Sequence, residues 1–111
     1  MLFRSIYDSF TVTLALLLEA LGISDRGKAG ADARSGRFSR GSALPLNTHG
    51  GLLSYGHCGV AGALAHFIEA VRQMTGKAGR RQLIHRPRCT LYHGDGGVLS
   101  SHVSIVLEAT G

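Results

Sequence analysis

Between Asn47 and Gly59 the chain runs NTHGGLLSYGHCG, with three glycines ahead of its closing Gly59 and no hydrophobic periodicity. A segment of that kind is a shaped loop, its glycines marking tight turns and close backbone approaches. Any fold must therefore be organised around this loop at mid-chain. A helical pattern follows it directly. Val60, Leu64, Phe67, Ile68, Val71 and Met74 recur as one apolar stripe, His66, Glu69, Arg72 and Gln73 lie off it, and Gly76 ends it. His57 thus stands beside Gly56 just before a helix begins. Unpaired amides and the helix dipole at such a point favour an uncharged imidazole. A neutral histidine there can take a proton from a thiol or donate a hydrogen bond to an oxyanion. A bystander in a surface loop fits the spacing as well.

The N-terminal segment from about Ser5 to Leu21 reads as a helix. Leu14, Ala15, Leu17, Leu18 and Leu21 recur at helical spacing, Leu16 makes the segment apolar nearly all round, and Gly22 supplies a cap. A helix so apolar is buried by a larger assembly than 111 residues can supply. Arg4 and the run Phe10–Leu18 superficially suggest a signal peptide. Asp8 and Glu19 stand where a positive region and a small-residue cleavage site are needed, and the run is too short to cross a bilayer. The expectation is a cytoplasmic chain with no membrane span. Gly27–Gly41 reads as a polar, basic loop. Two strands close the chain, Cys89–His93 and His102–Leu107, the second with Val103, Ile105 and Leu107 on one face. The predicted class is α/β: helix, loop, helix and two C-terminal strands in one domain over residues 1–111.

Hydrophobic residues make up 44% and charged residues 17%, which excludes a disordered chain. The net charge of +5 is carried unevenly, by Arg34, Arg37 and Arg40 and by Arg80, Arg81, Arg86 and Arg88. Such groups attract phosphates, but no interleaved aromatics and no recognised binding motif accompany them, so no nucleic-acid partner is expected. Cys58 and Cys89 fit either free thiols or one disulfide. Cys89 and His93 are spaced C-x3-H, unlike the usual zinc pairs, so no metal is expected. No permanently bound cofactor is expected either.

The run Asn47-Thr48-His49-Gly50-Gly51, followed by Leu52-Leu53-Ser54-Tyr55-Gly56-His57, resembles the thiolase signature in which N-x-x-G-G precedes G-H-P. Tyr7-Asp8-Ser9-Phe10 sits where thiolases carry an N-E-A-F-like motif. His93-Gly94-Asp95-Gly96-Gly97 resembles their C-x-G-x-G loop. Cys58 replaces the proline of G-H-P, Tyr7 an asparagine that fixes an oxyanion-hole water, and His93 a catalytic cysteine. That pattern is closer to sterol-carrier-type and lipid-transfer-protein-like relatives. The resemblance covers nearly the whole chain and corresponds to the last quarter of a full-length enzyme, with Met1 to Ser5 lacking a counterpart.

The resemblance implies a C-terminal thiolase-like domain of an acyl-CoA acyltransferase, with a coenzyme A thioester as substrate. His57 would be the catalytic base and oxyanion-hole residue, and His93 a second acid/base group. Tyr7 would present its hydroxyl to the acyl carbonyl, and Asn47, Gly56, Gly96 and Gly97 would complete the substrate-binding set. The nucleophile would come from an N-terminal thiolase half, the full-length form would be a homodimer, and the isolated chain would be inactive. Some relatives instead catalyse retro-aldol cleavage of acyl-CoA side chains with an OB-fold partner protein. A thiolase-like subunit without catalysis is a third reading.

Overall fold

The computed structural model describes residues 2–111, with the Val60 side chain, and so its place in the predicted stripe, outside the described set. Three strands form one sheet in the order β1-β2-β3: β1 is Leu2–Ile6, β2 Cys89–Gly96 and β3 Ser101–Glu108. β1 runs parallel to β2, and β2 antiparallel to β3. The helices are α1 (Thr11–Ala20), α2 (Ala29–Arg34), the single turn α3 (Leu52–Tyr55) and α4 (Gly62–Thr75). The α/β class is as expected.

Side-chain alternation along the strands assigns the helices to opposite faces of the sheet. Phe3 and Ser5 of β1 face α4, where Phe3 packs with Ala70 and Leu83, and the Ser5 hydroxyl donates to the His66 carbonyl at 2.8 Å. Ile6 faces the other way, into a cluster with Leu17 and Leu18 of α1 and Ala29 of α2. On β2, Tyr92 meets Phe67 of α4 edge-on at 5.7 Å between ring centres.

Two expectations are corrected here. Residues 5–10 are not helical: Ser5 and Ile6 end β1, and α1 begins only at Thr11, after Phe10 in an extended conformation. Pairing with β2 decides this, because strand preference is set by cross-strand packing more than by local propensity. The second correction concerns α4, whose burial only partly follows its apolar stripe. Its buried residues are Gly62, His66, Glu69, Ala70, Gln73 and Met74, whereas Leu64, Ile68 and Val71 are exposed. The inward polar groups are all partnered. His66 Nε2 lies 2.8 Å from Asp8 Oδ1, Glu69 is paired with Arg81 at 3.0 Å, and Gln73 bonds to the backbone of Arg81 and Leu83. The segment 27–41, read as loop, contains the short α2, and the loop 47–59 contains α3 and the start of a 3-10 turn, Gly59–Ala61. Gly22 and Gly76 stand just past the ends of α1 and α4 with left-handed φ of 68° and 72°, as a closing glycine requires.

Candidate active site

Tyr7 leaves the end of β1 with its amide bonded to the His93 carbonyl at 2.9 Å. The turn after it is locked from two sides. Asn47, itself left-handed at φ 45°, accepts from the Ile6 amide through Oδ1 and donates to the Ile6 carbonyl through Nδ2, both at 2.8 Å. Asp8 is buried and accepts from the Leu52 amide at 2.9 Å, from the Leu53 amide at 3.4 Å and from His66. Gly51 makes that approach possible: at φ 67°, a Cβ there would fall 2.0 Å from Asp8 Oδ2. The glycine pair of the N-x-x-G-G run therefore ties the mid-chain loop to the end of β1.

That tie brings His57 to Tyr7. Tyr7 Oη lies 2.8 Å from His57 Nε2, with the rings edge-to-face at 81°. The Gly59 amide donates to His57 Nδ1 at 3.2 Å. In the neutral ring the proton then sits on Nε2 and is donated to Tyr7 Oη, which leaves the phenol's own proton free for a third group. Burial, followed by the charges of Asp95, Asp8 and Cys58, raises the Tyr7 pKa above the usual phenol value. Tyr7 is thus a protonated donor at neutral pH.

The pair forms one wall of a cavity of about 530 Å³. Phe10 and Thr13, at the start of α1, form a second wall, and the β2–β3 hairpin supplies Asp95, Gly96, Gly97, Val98 and Leu99. Val98 and Leu99 are held left-handed at φ 53° and 61°. For a branched residue such as Val98 this is a strained conformation of the kind that clusters at functional sites. The lining joins a few polar groups, Tyr7 and His57 among them, to a largely apolar surface, as sites for small organic substrates do.

Of the residues singled out from sequence, Tyr7, His57, Gly96 and Gly97 meet at this cavity. Asn47, Gly56 and His93 are not among the residues that line it. Asn47 spends both ends of its amide on Ile6, Gly56 is exposed beside α3, and His93 is buried with Nδ1 2.7 Å from Ser104 Oγ. Asp95 was not singled out, although strand alternation from His93 puts it on the same face. His66 also went unnoticed as the partner of Asp8, because it stands off the apolar stripe. Cys58 and Cys89 are free thiols. Among the described residues no group of three or more His, Cys, Asp or Glu is placed to hold a metal ion. No described helix is long and apolar enough to cross a membrane.

The family model described as thiolase C-terminal domain-like matches residues 2–109. Leu2 to Ser5 therefore do have counterparts, contrary to expectation; they form most of β1. The benzoylsuccinyl-CoA thiolase subunit BbsB of Thauera aromatica is 32% identical over 92 residues, which cover 83% of this chain and 24% of that protein. Sterol carrier protein 2 of Oryctolagus cuniculus is 38% identical over 78 residues, 70% of this chain and 14% of the relative. Acetyl-CoA acetyltransferase of Methanothermobacter thermautotrophicus is 31% identical over 101 residues, 88% and 26% of the two chains. The chain thus spans about a quarter or less of the length of these relatives. With the family model matching nearly its whole length, this chain belongs to the thiolase C-terminal domain-like proteins.

Proposed function

We propose that this domain forms the C-terminal wall of an acyl-CoA active site in a thiolase-like acyltransferase of the acetyl-CoA acetyltransferase type. The observation that carries the reading is the 2.8 Å contact between Tyr7 Oη and His57 Nε2 at the cavity wall. His57 is the catalytic base and oxyanion-hole residue: with Nε2 donating to Tyr7, Nδ1 is the nitrogen that takes up a proton, giving up the bond from the Gly59 amide, and Tyr7 directs its hydroxyl proton at the thioester carbonyl. The Gly96–Gly97 backbone lies on the facing wall. Donors aimed at a developing oxyanion supply the largest single share of catalysis in acyl transfer. The attacking nucleophile is contributed by an N-terminal thiolase half, and the exposed Leu64, Ile68 and Val71 of α4 support an apolar seat for it. In this reading the whole protein is a cytoplasmic homodimer acting in lipid metabolism.

A second reading is favoured by the same contact. In retro-aldol cleavage an enolate forms as a β-hydroxyl proton leaves, and a phenol that accepts from His57 and keeps its own proton free is suited to donate to that enolate oxygen. An OB-fold partner belongs to that reading. A subunit without catalysis would carry the same fold with neither residue in use.

In the protein joined to its upstream half, His57→Ala should reduce acyl-CoA turnover by about 10²- to 10⁴-fold with folding unchanged, because this ring is exposed. Unchanged turnover would eliminate the enzyme readings. Tyr7→Phe separates the two chemistries: it should weaken thiolysis by about tenfold, as loss of one donor, and abolish retro-aldol cleavage.

A further inference from the structure

Two histidines and a serine are aligned across the β2–β3 hairpin, on the sheet face opposite α4. His93 is paired with Ser104 across the strands, and Asp95 with His102. Ser104 Oγ lies 2.7 Å from His93 Nδ1, His93 Nε2 lies 3.3 Å from His102 Nδ1, and His102 Nε2 lies 3.1 Å from the Leu99 carbonyl. The last contact determines the rest. A carbonyl only accepts, so His102 carries its proton on Nε2. In the neutral ring its Nδ1 is then an acceptor, and His93 donates to it from Nε2. His93 Nδ1 is left to accept from the Ser104 hydroxyl. Every donor points the same way, from exposed Ser104 through buried His93 to half-exposed His102. Asp95 stands at the far end. Its buried carboxylate lies 4.0 Å from His102 Nδ1, is held by the Leu99 amide at 3.0 Å, and forms part of the cavity wall that includes Tyr7 and His57.

We propose that Ser104, His93 and His102 form a proton relay joining the outer face of the hairpin to the Asp95 corner of the candidate active site. Its use in catalysis rests on the acyl-CoA reading above; its existence does not. The transfer balances. Ser104 Oγ gives its proton to His93 Nδ1 and regains one from solvent, while the Nε2 proton of His93 passes to His102 Nδ1. His102 becomes an imidazolium that faces the Asp95 carboxylate and still donates to Leu99. His93 is neutral again, with its proton on Nδ1 and donated to Ser104. The reverse sequence carries a proton from the cavity edge out to solvent.

The surroundings suit these roles. The titratable groups that face His93 are His102 and Asp95, and Tyr7 faces Asp95. Burial first, and then His102, hold the His93 pKa below the usual imidazole value, with Asp95 opposing them. His93 therefore passes a proton on without storing it. His102 is part exposed, and the Asp95 carboxylate lies 4.0 Å from its Nδ1. His93 and His102 act here as positioning residues, and Asp95 is the member of the set that meets the cavity.

The test reads the imidazole tautomers from nitrogen-15 NMR spectra of the histidine-labelled chain as the pH falls from neutral. His93 should begin as the Nε2–H form and change to the Nδ1–H form as His102 takes up one proton. His102→Gln, at an exposed ring, and Ser104→Ala should each abolish that change while leaving the amide spectrum of the fold in place. A His93 ring that begins as Nδ1–H, or whose tautomer ignores both substitutions, overturns the relay. In the protein joined to its upstream half, His102→Gln should lower kcat about tenfold at unchanged KM and displace the pH profile of kcat. A tautomer change with kcat untouched in an active enzyme overturns the link to the cavity. A tautomer change in a protein whose wild type turns over no acyl-CoA supports the relay and removes the acyl-CoA reading instead.

Discussion

His49 is the residue whose environment is least expected for its type. Both of its ring nitrogens are buried without a hydrogen-bond partner, its ring standing edge-on to His66 at 4.7 Å and tilted against Tyr55 at 5.4 Å. Burial first, and then the proximity of His66, lower its pKa from 6.5 to about 4, with Glu69 and Asp8 acting in the opposite sense and Arg81 adding to the depression. Because the folded state disfavours the proton, the neutral ring's contribution to stability is whole above pH 6.5 and is lost as the pH falls through the interval down to about 4. His49→Phe keeps the ring packing and removes the titration. Its thermal midpoint should therefore fall less than that of the wild type between those pH values, as followed by circular dichroism. An equal fall in both proteins would assign the acid sensitivity elsewhere. His49 was legible in the sequence only as a member of the glycine loop. Nothing in its spacing marked it as buried, because its burial is created by a helix 13 residues further on.

At the scale of the element, α4 is where sequence pattern and packing disagree. The period of 3.6 holds, but the side that turns inward carries His66, Glu69 and Gln73 among Gly62, Ala70 and Met74. Gln73 explains why: its amide reaches Thr48, Glu69 and the Arg81 carbonyl through Nε2 and receives Gln82 and the Leu83 amide at Oε1. One side chain thus holds the start of the mid-chain loop, the helix and the segment after it together. Replacing it with leucine raises the apolar content of the buried face and yet takes the side-chain partner from the Arg81 carbonyl and the Leu83 amide. Gln73→Leu should therefore destabilise the domain by about 2–4 kcal/mol in urea unfolding, since each stranded buried polar group costs about 1–3 kcal/mol. A loss below about 0.5 kcal/mol, typical of a surface change, would contradict this account of α4.

At the scale of the molecule, apolar surface is left open on more than one side. Leu64, Ile68 and Val71 on α4, Val12 and Leu16 on α1, and Val103 and Val106 on β3 are all exposed. Exposed apolar surface of this breadth marks a contact with further protein. Alone, the chain should associate as its concentration rises. The double substitution Leu64→Lys and Ile68→Lys should return it to a monomer in sedimentation velocity without loss of unfolding free energy, because neither side chain is in the buried core. A chain that stays monomeric at every concentration would argue that no protein seats on α4. By itself the sequence determined the helical period of α4, the two terminal strands, the glycine ends of α1 and α4 and the family signature around His57, because each is written in residues close together along the chain. Only the tertiary structure decided that residues 2–6 form a strand, that α4 buries His66, Glu69 and Gln73, and that Asp95 rather than His93 meets the cavity. Each of those outcomes depends on partners tens of residues away, and the free energy of satisfying a buried polar group is set by what surrounds it, which local pattern does not contain.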